Sequence, residues 1–190
     1  MSWFDLRLQD LRLRHAGRFL IVAMLAALTA GCFQPMYAAR SDGSPALREK
    51  LSGVEIPQLN YPQASREARV GLVIRNALMF SLYGNAEGGP RTHTLSMRLV
   101  TSRNSLIVDP TTALPEFENY GIDVTFELKE IATGKSVLTG TTFARVSYDI
   151  PGLEQRFAKN RALRDAEDRA AKVIADNITT RLASYFYAGS

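Results

Sequence analysis

Cysteine and histidine, the side chains most used as soft metal ligands, thiolate nucleophiles and proton carriers near neutral pH, are scarce in this chain of 190 residues: one cysteine, Cys32, and two histidines, His15 and His93. A single cysteine excludes an internal disulfide. Together with so few histidines, it cannot assemble the ligand cluster of a structural zinc site. No Ser-His or Cys-His pair stands in a local motif for nucleophilic catalysis. His93 sits beside a turn, where a solvated imidazole is expected rather than a catalyst. Asp149, Glu154, Asp165 and Asp168 could supply the two carboxylates of glycoside hydrolysis, but only through a coincidence of folding. In the last helical stretch such carboxylates read as a charged outer face. Gly88-Gly89 runs into Pro90 and forms no phosphate-binding or dinucleotide pattern. The expectation is a protein that is not an enzyme and carries neither metal nor cofactor.

The position of Cys32 gives it a different chemistry. Arg7, Arg12, Arg14 and Arg18 stand against Asp5 and Asp10, and from Phe19 to Ala30 no residue is charged. A basic flank, a short apolar core and the small-residue boundary Leu28-Thr29-Ala30-Gly31 make a secretory signal over residues 1–31. An apolar run of that length is too short to span about 30 Å of hydrocarbon as a helix. Leu-Thr-Ala-Gly-Cys directly after it resembles a bacterial lipobox. This makes Cys32 the expected attachment point for an S-diacylglycerol group and, once the signal is cut, an N-palmitoyl chain. Phe33 stands where many enterobacterial lipoproteins bear an Asp for inner-membrane retention, so the expected address is the periplasmic leaflet of the outer membrane.

Removal of the signal changes the charge balance. The chain holds 23 Lys and Arg against 19 Asp and Glu, a net charge of +4, and loss of residues 1–31 takes four of the first and two of the second, leaving +2. Half of the basicity behind the pI of about 9.4 therefore belongs to the signal, and a nucleic-acid partner is not expected.

The elements that must carry any surface chemistry follow from periodicity. Residues 32–50, with Pro35, Gly43 and Pro45, read as a lipidated tether, and a single domain is expected over 51–190. Val54 and Ile56 suggest a short strand ended by Pro57. Between Ser65 and Tyr83 the apolar residues Val70, Ile74, Ala77, Leu78 and Leu82 recur about once per turn, with Ser65 as cap and Gly84 as stop. Gly71 inside that helix predicts a close approach to another backbone. Leu95, Met97 and Leu99 alternate with polar residues, and Leu106-Ile107-Val108 forms a second apolar piece. Ile122 to Leu128 and Val137 to Tyr148 make a hairpin around Ala132-Thr133-Gly134-Lys135, with a bulge expected at Gly140. Phe157 to Tyr187 is the longest helical pattern, with favourable pairs Asp165–Arg169 and Asp168–Lys172. Strand, helix, three or so strands and helix give an α+β fold: two helices packed on one face of a mainly antiparallel sheet of about four strands.

Several segments carry a resemblance in the same order. They are Cys32-Phe33-Gln34-Pro35-Met36-Tyr37 after the lipobox; Arg69-Val70-Gly71-Leu72-Val73-Ile74-Arg75-Asn76-Ala77-Leu78 in the first helix; and Thr133-Gly134, Gly140 and Ser147-Tyr148-Asp149 in the hairpin. In the last helix they are Arg164-Asp165-Ala166-Glu167-Asp168-Arg169-Ala170-Ala171, Ala175-Asp176-Asn177-Ile178 and Arg181-Leu182. Together they resemble the LPS-assembly lipoprotein family, LptE, in its alphaproteobacterial form. Cys32 is not followed by that group's glycine, and Leu72 stands where its Gln is usual.

The resemblance implies an outer-membrane lipoprotein that partners and plugs the LptD β-barrel, assists its assembly, and helps to insert lipopolysaccharide into the outer leaflet. Such a role needs cations for an anionic glycolipid, and Arg98, Arg103, Lys135 and Arg145, on strands or at their turns, are the candidate contacts. Two other roles fit the same residues: a generic outer-membrane lipoprotein acting as pilot for another barrel, and a periplasmic glycolipid-binding module.

Overall fold

Local sequence signals place each element. The computed structural model describes residues 46–84, 88–108, 115–150 and 156–188. The export signal, Cys32, the tether through residue 45 and Glu154 lie outside the described residues. Helix α1 (Leu47–Ser52) precedes strand β1 (Val54–Glu55), helix α2 (Arg66–Tyr83), strands β2 (His93–Val108), β3 (Pro115–Glu130) and β4 (Ser136–Asp149), and helix α3 (Arg156–Ala188). The Ser65 side chain caps α2 by accepting from the Ala68 N–H at 3.1 Å, and Gly84, at φ 65°, closes it. The turn between β3 and β4 is closed by the Gly134 N–H on the Glu130 carbonyl at 2.9 Å.

The strands form one sheet in the order β1-β2-β3-β4, parallel between β1 and β2 and antiparallel elsewhere. The fold is α+β, with the long helices on one face. Leu95 and Leu99 of β2 and Tyr120, Ile122, Val124, Phe126 and Leu128 of β3 point to the helices, and every one is buried. Alternate residues between them face away, as a pleated strand requires. From the helical side Ile74, Leu78 and Leu82 of α2 and Ala166, Ala170, Ile174, Ile178 and Leu182 of α3 complete the core. The small residues Ala166, Ala170 and Ala171 of α3 are fully buried in that core.

Three features depart from the sequence reading. Leu47 and Leu51 of α1 are buried, so the packed domain begins inside the stretch read as tether. The apolar piece Leu106 to Val108 is the far end of β2, kept in the ladder by register shifts between Ser105 and Val108. Gly140 sits in unbroken register opposite Phe126, and the irregularity of that ladder falls instead between Leu128 and Lys129. A Cβ on Gly140 would lie 2.7 Å from Phe126 Cζ, so the glycine makes room for a ring rather than a bulge. The apolar phase around it is broken because Phe143 faces outward, 66% exposed. Gly71 does mark a close approach, but to side chains: its Cβ would lie 3.3 Å from Leu99 Cδ2 and 3.6 Å from Leu59.

The edge at β2 is finished by side chains. The Tyr61 hydroxyl accepts from the Leu99 N–H at 2.8 Å and donates to the Leu99 carbonyl at 3.1 Å, covering both groups that the strand turns outward. Replacing Tyr61 with Phe leaves both without that partner. It should cost about 1–2 kcal/mol in a urea titration and speed hydrogen exchange at the Leu99 amide. An unchanged Leu99 exchange rate would count against the plug.

Candidate functional site

The face of the sheet away from the helices is uncovered among the described residues. The register sets its residues in rows: Arg98, Thr125 and Thr141; then Val100, Asp123 and Phe143; then Ser102, Gly121 and Arg145. Hydroxyls and charges dominate, interrupted by Val100, 61% exposed, and Phe143.

The four candidate cations occupy three separate places. Arg98 and Arg145 are both on this open face, but two strands and four residues apart, about 16 Å by strand geometry. Arg145 is committed to its own sheet. Its Nη2 donates to both Asp123 carboxylate oxygens at 2.8 and 2.9 Å, its Nη1 to the carbonyls of Ala144 and Ile122 at 3.0 and 3.2 Å, and its guanidinium lies 5.5 Å from the Phe143 ring centroid. Arg98 makes no such bond among the described residues. Lys135, in the β3–β4 turn, is exposed at one end of the sheet.

Arg103 belongs elsewhere. Alternation puts it on the helix side of β2, opposite Tyr120 and towards the end of the sheet remote from Lys135. There the Tyr148 hydroxyl donates to Glu118, and Lys159 Nζ of α3 lies 3.8 Å from the same carboxylate. Burial, and then the hydrogen bond to Glu118, push the Tyr148 hydroxyl up to about 12, while Arg103 pulls in the other direction. The phenol therefore keeps its proton. Arg103 and Lys159 outnumber Glu118 by one charge.

A charged cluster between α2 and α3 lies outside the residues that the sequence singles out as cations for a ligand. The Glu167 side chain, only 3% exposed, is held by Arg66 Nε at 2.9 Å and by Arg69, which also reaches Asp168 at 3.5 Å. Asp168 thus faces Arg69 rather than Lys172, whereas the expected Asp165–Arg169 pair forms at 2.7 Å. The signal for Glu167 was its place between Leu163 and Ala170 at helical spacing, inside the apolar stripe. Beside it opens a cleft of about 850 Å³, lined by Leu72, Asn160, Leu163 and Arg164 along with the two arginines. None of the four candidate cations lines it. Glu67 next door is held below the ordinary carboxylate range, first by its own backbone N–H at the helix start and then by the Thr101 hydroxyl, 2.9 Å away.

His93 is not a solvated loop residue. It begins β2, half-buried, with its ring edge-on to Phe186 at 5.1 Å and Nδ1 2.9 Å from the Thr92 hydroxyl. Burial lowers its pKa below 6.5, and Glu130 opposes this more weakly. A folded state that resists protonation binds fewer protons than the unfolded chain, so this contribution to stability is present above about pH 6.5 and is lost as the pH falls below it. Denaturant midpoints at about pH 7.5 and about pH 5 should converge more in His93→Gln than in the parent. Equal pH dependence in the two proteins would contradict the burial argument. Among the described residues no group of three His, Cys, Asp or Glu is placed to hold a metal ion, and no helix is long and apolar enough to cross a membrane.

No protein-family profile and no curated protein matches the chain. Solved structures do. A Caulobacter crescentus CB15 protein provisionally described as a lipoprotein shares the fold, with a TM-score of 0.58 at 23% identity over 76% of this chain and 97% of that one. A minor lipoprotein of Acinetobacter baumannii gives 0.49 at 17% identity over 69% and 88% of the two chains. Rare lipoprotein B of Shewanella oneidensis gives 0.48 at 17% identity over 70% and 92%.

Proposed function

We propose that this chain is an outer-membrane lipoprotein of the LptE type, anchored through lipid on Cys32 in the periplasmic leaflet, which partners and plugs an LptD β-barrel. In that role it assists assembly of the barrel and insertion of lipopolysaccharide into the outer leaflet. The observation that carries the reading is the open sheet face. It is a broad surface of threonine, serine and paired charges on a body whose apolar residues are mostly spent on the helical side. A polar face of that kind suits the polar lumen of an outer-membrane barrel. The fold shared with the Caulobacter lipoprotein supports the anchoring part of the reading.

No catalytic residue is needed for this work. Arg98 and Lys135, free of ion pairs among the described residues, are the cations for glycolipid phosphate or carboxylate, and Arg103 with Lys159 forms a second basic point. Arg145 serves the sheet through Asp123. A photo-crosslinker at Thr125, in the middle of the open face, is expected to capture an LptD-type barrel in intact cells, and depletion of the protein should leave that barrel misassembled. Capture of a different secretion barrel would favour the pilot role. Normal barrel assembly after depletion would favour the glycolipid module.

A further inference from the structure

The sheet has two edges, finished differently. At β2, β1 pairs with His93 and Thr94, and the Tyr61 hydroxyl occupies Leu99. At β4 no further strand is present among the described residues, and one long contact, Arg169 Nη2 to the Ser147 carbonyl at 3.4 Å, reaches a backbone group of the strand from outside the ladder. Alternate residues of an edge strand turn N–H and C=O away from their neighbour, so about seven of the fourteen in β4 do so. Natural edges of that length are guarded by proline, inward charges or bulges. Ser136 to Asp149 has no proline, its register is unbroken from Leu138 to Asp149, and the residues on its helix side, from Leu138 to Tyr148, are uncharged.

Helix α3 runs antiparallel along this strand. Arg169 meets Ser147, Asn177 Nδ2 donates to the Thr142 hydroxyl at 3.1 Å, and Arg181 Nη1 lies 3.0 Å from where a Gly140 Cβ would be. Arg169, Val173, Asn177 and Arg181 are spaced four apart and so form one row on the helix. Val173, at its middle, is 43% exposed. Arg169 is shared with Asp165, whereas Arg181 has no ion pair among the described residues. The edge of β4 and this row make a trough with a cation towards each end and, between them, the exposed Val173 and Asn177, whose amide is turned onto Thr142.

We propose that the trough takes up, by strand addition, an extended segment of a partner protein that carries carboxylates for the two arginines and apolar side chains between them. Arg169 and Arg181 are twelve residues apart, about 18 Å of helix, which matches five or six residues of strand. Carboxylates six positions apart fall on one face and fit that span. The same charges disfavour a second copy of this chain, because antiparallel pairing of two β4 edges would bring two basic rows together. The inference does not depend on the partner being a barrel, and its test involves none.

The test uses the full-length, ¹⁵N-labelled chain in detergent micelles and a twelve-residue peptide of alternating Val and Thr, Val at the odd positions, with Glu replacing Val at positions 3 and 9, so that the valines between them share the carboxylate face. Binding should slow exchange of alternate β4 amides at least tenfold while leaving β2 unchanged. N-methylation of the peptide on one edge should abolish binding, and on the other edge should leave it. Lys in place of both Glu residues, or Arg181→Glu in the protein, should weaken binding about tenfold. Arg181 is exposed, so its replacement leaves the core intact. Absence of β4 protection at about 1 mM peptide, equal binding of the Lys peptide, or self-association through β4 without peptide would each overturn the proposal.

Discussion

Replacing Phe126 with alanine is expected to destabilise the domain by about 3–5 kcal/mol, the range for deleting a buried aromatic ring. Phe126 is 1% exposed in the middle of β3, between Met97 of β2 and Gly140 of β4. Its ring extends over the glycine, leaving no room there for a side chain. Gly140→Val in the parent should therefore also be costly, by about 1–3 kcal/mol through overpacking. The two positions share one volume, so their effects should not add. Phe126→Leu with Gly140→Ala is expected to be more stable than the sum of the single changes predicts, as read from urea midpoints at constant slope. Strict additivity would mean that the ring and the glycine are not coupled.

Under the proposed function, replacing Cys32 with Ser should remove the protein from the outer membrane. Serine has no thiol to accept the diacylglycerol, and in the lipobox reading signal cleavage follows that transfer. The expected product is an uncleaved form, absent from the outer-membrane fraction and unlabelled by radioactive palmitate. Each buried methylene of an acyl chain contributes about 0.8 kcal/mol to membrane binding, and the variant loses that contribution. Under the proposed function the same variant should yield less correctly assembled barrel. Normally acylated outer-membrane protein from Cys32→Ser would refute the lipobox assignment.

Much of the fold was legible because its determinants are local. The cap at Ser65, the stop at Gly84, the Thr133-Gly134 turn and the stripe from Leu163 to Leu182 each depend on residues within a turn or two of one another. The alternation from Ile122 to Leu128 gave the buried face of β3 directly. What failed depended on the neighbour across the fold. Gly140 suggested a bulge because its partner Phe126 could not be identified in advance, and the two apolar pieces of β2 joined because β3 pairs with both. His93 stands beside a turn in the sequence, but Phe186, ninety-three residues further along, packs edge-on against its ring.

The candidate cations divide in the same way. Sequence selected Arg98, Arg103, Lys135 and Arg145 by charge and placement on strands. Pairing then bound Arg145 to Asp123, turned Arg103 to the helix side, and left Arg98 and Lys135 free of ion pairs among the described residues. By itself the sequence determined the two long helices, the β3–β4 hairpin, the class of fold and the expectation of a lipid anchor at Cys32, because helix and strand periodicity, caps and an export signal are read within short windows. Only the tertiary structure decided that Glu167 is clamped between two arginines, that one sheet edge is plugged while the other has no further strand among the described residues, and which charges are already spent. Those outcomes depend on contacts between residues far apart in the chain, where burial raises the cost of an unpaired charge or backbone group and so fixes its partner.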